Sequence, residues 1–218
     1  ADGTTGRLSR GGWRRAALWA ARIALAGLAV LAAAETGATR NELMVHDLGD
    51  AGDAVPGDGL CETVVGNNVC TLRAAVEEAN ARPGADTVTI MTTSTITLTS
   101  GVGLLISDDL VVPSGHSGMA LISGQPAAQN PIFVISGSGY PDVHLVDVDL
   151  RNAVSGEVGA AVWVESGGDL TLTDCVLASN TSLLGGAVGI DGESGNVLVE
   201  GCVFADNPDP GYDGSIGT

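Results

Sequence analysis

From Asp86 onward the chain is a succession of short runs in which apolar and polar residues alternate. They read TVTIM, TITLTS, DLVVP, IFVIS, VHLVDVDL, AVWVES, LTLTDCVL and NVLVEGCVF, with Gly, Ser, Asp and Asn between them. A period of two is the mark of a strand with one face buried. Before Asp86 the pattern differs. Residues 35–60 are turn-rich, with a short strand expected near Leu43–His46. Thr71–Ala81 has the helical period, with Thr71 placed to cap it and Leu72, Ala75, Val76 and Ala79 on one face. Arg82-Pro83-Gly84 ends that helix.

The strand runs repeat. Val143, Leu145, Val148 and Leu150 recur 27 residues on as Leu170, Leu172, Cys175 and Leu177, and 27 further as Val197, Val199, Cys202 and Phe204. The apolar spacing inside each unit is two, three, two. Steps of two keep one face inward, and the single step of three is a bend that turns a corner without losing the core face. Gly159-Ala160-Ala161-Val162 with Val164 is echoed 26 residues later by Gly185-Gly186-Ala187-Val188 with Ile190, and Asn180 and Asn207 stand 27 apart. A unit this short, with three strands and no helix, cannot bury its own apolar face; stacked as coils of a parallel β-helix, it can. Asn180 and Asn207 then form an inward amide ladder. Cys175 and Cys202 lie inward on neighbouring coils, either bridged or as buried thiols. A β-sandwich is the alternative, but antiparallel sheets give no reason for a fixed 27-residue register. The expected class is therefore all-β, a parallel β-helix of about 27 residues per coil over 86–218 that continues beyond the chain end, with 35–85 as an N-terminal cap region.

Charge narrows the partners. The chain has 26 acidic residues, 9 arginines and no lysine, a formal charge of −17. Nucleic acid needs a basic surface, and anionic lipid likewise, so both are excluded as partners. Five of the nine arginines, Arg7, Arg10, Arg14, Arg15 and Arg22, precede or enter the apolar run Ala16–Ala34, which ends in Ala-x-Ala. That order is the order of a secretory signal peptide, expected over 1–34 with cleavage after Ala34. Arg22 leaves too short an uninterrupted run to span a bilayer, so no membrane span is expected after cleavage. An exported chain with an even number of cysteines favours bridges, and Cys61 and Cys70, nine residues apart, are the expected pair.

Cys61, the run Cys70-Thr71-Leu72-Arg73-Ala74-Ala75-Val76-Glu77-Glu78-Ala79-Asn80 and then Pro83-Gly84-Ala85-Asp86-Thr87 together resemble the CSLREA-type domain of exported bacterial β-helix proteins. The resemblance covers roughly residues 43–90, including Gly57-Asp58-Gly59. It departs at Thr71, where the family has Ser, and at Ala74, where it has Glu. Gly185-Gly186-Ala187-Val188 and Phe204-Ala205-Asp206-Asn207 resemble the repeats of polymorphic outer-membrane proteins. The resemblance implies a right-handed parallel β-helix capped by the helix 71–81, and a secreted or cell-surface location. It implies little about chemistry.

Parallel β-helices also host polysaccharide lyases and glycosidases, so carboxylates at repeated positions are candidates. Asp147 and Asp174 fall at the bend of adjacent coils, about one strand spacing (~5 Å) apart. That suits a pair of catalytic carboxylates, a weak Ca²⁺ site, or simply Asp hydrogen-bonding its own backbone at a turn. Asp149, two residues on from Asp147, is expected to face solvent. Asp47, Asp50, Asp53 and Asp58 lack the spacing of a calcium-binding loop and read mainly as turn residues. The three histidines show no metal-ligand spacing. Trp163, between Val162 and Val164, is expected to face outward as a surface contact for a glycan. The expectation is an exported, non-catalytic adhesion or display scaffold with no cofactor beyond optional Ca²⁺. The alternative is a carbohydrate-active enzyme.

Overall fold

The computed structural model describes residues 41–208 apart from 157, 166 and 192–194, together with the backbone of 216 and 217. The segment expected as a signal peptide lies outside the described residues. In chain order the elements are β1 (Glu42–Val45), α1 (Leu72–Ala81), β2 (Asp86–Ile90), β3 (Ile96–Thr97), β4 (Leu104–Ile106), β5 (Leu110–Pro113), β6 (Ala120–Ser123), β7 (Phe133–Ile135), β8 (Asp142–Val146) and β9 (Val148–Arg151). Then follow β10 (Val162–Val164), β11 (Asp169–Thr173), β12 (Val176–Ala178), β13 (Val188–Ile190), β14 (Val197–Glu200), β15 (Val203–Ala205) and β16 (Ile216–Gly217).

From β2 onward the chain visits three sheets in rotation. The first has the order β1-β2-β5-β8-β11-β14, the second β3-β6-β9-β12-β15 and the third β4-β7-β10-β13-β16. Every pairing is parallel, so each strand lies on its equivalent from the circuit before: a parallel β-solenoid. The interior is the stack of inward side chains. Leu110, Val143 and Leu170 are in register along one row, and Leu104, Phe133, Val162 and Val188 along another, all at most 2% exposed.

The three-residue step is a left-handed backbone residue. Asp147, Asp174 and Gly201 have φ of 53°, 52° and 67° at the corner between the first and second sheets. Asn152, Ser179 and Asp206, at 59°, 57° and 51°, make the next corner. A residue with positive φ breaks the pleat and lets the following apolar side chain return inward; Asp, Asn and Gly accept this conformation most readily.

The 27-residue period holds for the last coils, where Val143 pairs with Leu170 and Leu170 with Val197. Earlier circuits differ: Asp86 pairs with Leu110, 24 positions on, and Leu110 with Val143, 33 positions on. The longer circuit carries its excess in loops outside the stack, where length is free to vary.

At the N-terminal end, β1 pairs with β2 through four residues, so the first sheet begins within the region assigned to the cap. The helix α1 starts where Thr71 accepts the Ala74 N–H at 3.0 Å. It buries Leu72, Ala75, Val76 and Ala79 over the end of the stack. Cys61 and Cys70 are joined, with a Cα separation of 5.0 Å.

Candidate functional site

The two bend carboxylates occupy equivalent corners of adjacent coils, and both are exposed. Their backbones belong to the ladder: Asp147 N–H donates to Thr173 O at 3.1 Å and Asp174 N–H to Glu200 O at 2.8 Å. The third corner is Gly201, which takes the same left-handed conformation, φ 67°, without a Cβ. The geometry of both residues is thus set by the corner. Among the described residues no three His, Cys, Asp or Glu side chains are grouped to hold a metal ion.

Asp149 corrects the expectation of a solvent-facing residue. It is 5% exposed, because Arg151 two residues along the same strand folds over it and pairs with both carboxylate oxygens. Strand parity alone does not reveal that cover. Trp163 lies between Val134 and Gly189 on the outer face of the third sheet and is half-buried. Its indole Nε1 is buried with no acceptor among the described residues.

Asn180 is fully buried. Its amide donates to Leu150 O at 3.0 Å and to Asn207 Oδ1 at 3.1 Å, while its Oδ1 accepts from Ala153 N–H at 3.2 Å. Asn207 repeats the arrangement one coil later, accepting from Asn180 N–H at 3.0 Å and donating to Leu177 O at 2.9 Å. Each amide therefore reaches groups on the preceding coils that the neighbouring left-handed corner removes from regular pairing.

The polar residues of the N-terminal motif converge on the cap. Arg73 donates to Asp50 at 2.8 Å, to Ser100 Oγ and Val102 O at 2.7 Å, and to Gly103 O at 3.4 Å. Asp50 also accepts from Thr99 and Ser100 N–H at 2.7 Å each. Burial pushes the Asp50 carboxyl up, but hydrogen bonds from Arg73 and Ser100 and the Arg73 charge outweigh it and hold the pKa below the usual value. Glu78, fully buried, accepts from Gly57 and Gly59 N–H; both glycines have positive φ, which explains the Gly57-Asp58-Gly59 segment. Glu77 accepts from Asp53 N–H at 2.7 Å, and Asn80 bonds to Leu105 O and Ser107 N–H. Asp47 and Asp58 close Asx turns on Gly49 and Leu60. Ala74 is completely buried.

A row of carboxylates at the start of the strands of the first sheet does not stand out in the sequence pattern. Asp142 pairs in register with Asp169, and its N–H donates to Asp109 Oδ1 at 2.9 Å. Asn196 continues the column, giving two hydrogen bonds of 2.8 Å to Asp169 Oδ1. Burial, then the charges of Asp109 and Asp169, push the Asp142 carboxyl above its ordinary pKa. The signal was present, as each Asp directly precedes an inward Leu or Val. The 33-residue circuit between Asp109 and Asp142 hid it.

A raised pKa means the folded state holds its proton at higher pH than the unfolded chain, so stability falls as pH rises through that window. Asp142→Asn is therefore expected to raise the urea midpoint at neutral pH and to leave it nearly unchanged below pH 4. Added salt should shrink the gain by screening Asp109 and Asp169. An Asn variant less stable than the parent at neutral pH and low salt contradicts this.

Comparison with protein-family models, with curated proteins and with solved structures yields no match.

Proposed function

We propose that this chain is an exported bacterial β-solenoid that acts as a non-catalytic scaffold, its stiff acidic surface serving adhesion or display toward an extracellular surface or glycan. The N-terminal region is read as a CSLREA-type cap. The observation that carries the reading is the use made of positive charge. Among the described residues the arginines are Arg73, Arg82 and Arg151, and each pairs with a carboxylate of its own chain: Asp50, Glu78 and Asp149. A lyase acting on acidic sugars needs a cation to bind the uronate and help remove its proton. The acidic column and the exposed corner carboxylates instead favour solubility and long-range repulsion of anionic polymers. The candidate catalytic pair, Asp147 and Asp174, stands at left-handed corners, a conformation that favours Asp for backbone reasons alone. The disulfide fits an oxidising compartment.

The test starts from the full chain expressed in a bacterial host with a secretion pathway. Recovery outside the cytoplasm with Glu35 at the N-terminus is expected; a chain kept inside with its leader intact overturns the export reading. The purified protein is then incubated with acidic and neutral polysaccharides. No shortening of either polymer is expected, with retention on the neutral one and little on the acidic one, which the acidic surface repels. Shortening that disappears in Asp147→Asn or Asp174→Asn would establish the carbohydrate-active enzyme instead.

A further inference from the structure

Cys175 and Cys202 are free thiols, the first fully buried and the second half-buried. They occupy the same position on neighbouring coils, immediately before the paired residues Val176 and Val203. Cys202 Sγ lies 3.2 Å from the backbone nitrogen of Cys175, accepting its N–H, so the second sulfur sits beneath the first residue's main chain. Parallel strand spacing of about 4.8 Å falls within the Cα separations that disulfides span. The preceding coil has Val148 at this position, which leaves each of these thiols a single partner. The coil that carries Cys202 is also the more exposed one. Val197, Val199, Cys202 and Phe204 are partly buried, whereas Leu170, Leu172, Cys175 and Leu177 one coil earlier are at most 1% exposed.

We propose that Cys175 and Cys202 are a site of oxidative modification, closing to a second disulfide that ties the coil of β14 and β15 to the one before it. The oxidant is a low-molecular-weight disulfide. The more accessible Cys202 thiolate attacks it, forming a mixed disulfide and releasing one thiol. The Cys175 thiolate then attacks Cys202 Sγ, the Cys175–Cys202 bond forms, and the second thiol leaves. Two cysteine thiols are oxidised, one external disulfide is reduced to two thiols, and the two protons end on those thiols. Cys175 must turn about its Cα–Cβ bond, giving up its contacts with Leu145 O and Thr173 O, both at 3.3 Å. Burial pushes the Cys175 thiol up to about 12, so the closing step is slow at neutral pH and quickens as the thiolate fraction grows.

The test incubates the folded full chain with oxidised glutathione, then denatures, alkylates, digests and weighs it. Expected is a loss of two hydrogens from the thiol form, with the peptides of Cys175 and Cys202 recovered as one cross-linked, unalkylated species. The closure rate should rise steadily with pH from 7 to 9. The closed form should show a folding equilibrium constant larger by about two orders of magnitude in urea, from closing a 27-residue loop. Cys175→Ser should stop at the glutathione adduct on Cys202. Recovery of both cysteines in alkylated form, or a wild-type protein that stops at the Cys202 adduct, would overturn the proposal. Uptake of glutathione on Cys175 in a folded Cys202→Ser variant would overturn the order of attack.

Discussion

Arg73→Met is expected to destabilise the protein by about 3–5 kcal/mol, the usual cost of removing one partner from a buried ion pair. The Asp50 side chain is 1% exposed and would be left without its cation. Methionine keeps much of the Arg73 aliphatic volume, so the loss reports on charge and hydrogen bonds more than on packing. Ser100 Oγ and the carbonyls of Val102 and Gly103 lose their donor as well. The pH dependence identifies the cause. In the wild type the folded-state pKa of Asp50 is lowered, so its stabilisation is present above the unfolded value near 3.8 and is lost as pH falls through the folded value. In the variant the burial that pushes the carboxyl up is no longer opposed by Arg73. The gap between the two proteins should therefore narrow on acidification. Urea unfolding between pH 3 and 7 measures it; a gap constant with pH would rule out the uncompensated carboxylate. Asp50→Asn placed on Arg73→Met should recover part of the loss, because a neutral amide is far cheaper to bury than a lone charge.

Asn180→Ala is expected to cost about 2–4 kcal/mol, the sum of leaving buried groups unpaired. Leu150 O loses its donor and Ala153 N–H its acceptor, in a site with no exposed surface. Asn207→Ala should cost less. It removes the acceptor for Asn180 N–H and the donor to Leu177 O, but the site is 8% exposed and water can replace part of the amide. Asn180→Asp should not rescue. A carboxylate can still accept from Ala153 N–H but sets an oxygen against Leu150 O, where the amide donated. The ordering of the three midpoints in urea, at unchanged m-value, checks the assignment. Equal costs for Asn180→Ala and Asn207→Ala would show that the two rungs do not differ in water access.

Much of the architecture was legible because a parallel solenoid has to repeat. Val143, Leu170 and Val197 must superpose along one row, so the spacing of apolar residues records the length of a coil, and the extra residue in each unit records the corner. Asn180 and Asn207 were readable for the same reason, since a buried amide at the same position of successive coils has its partner overhead. The helix, its Thr71 cap and its stop at Arg82 are local features of consecutive residues and needed no tertiary information.

What the sequence could not decide depended on loop length and on side-chain reach. The circuits of 24 and 33 residues broke the period, which concealed that Asp109 joins the column of Asp142 and Asp169. Asp149 sits on the outward parity of its strand, and only the fold of the Arg151 guanidinium over it makes it buried. Asp50 and Arg73 of the cap region meet Ser100 and Gly103 of the following coil across up to 53 residues of chain, a meeting no local pattern encodes. By itself the sequence determined the coil, the corner and the inward rows, because those follow from periodicity and backbone sterics. The tertiary structure alone decided which charges are paired, buried or massed together, because electrostatic environment is set by neighbours in space.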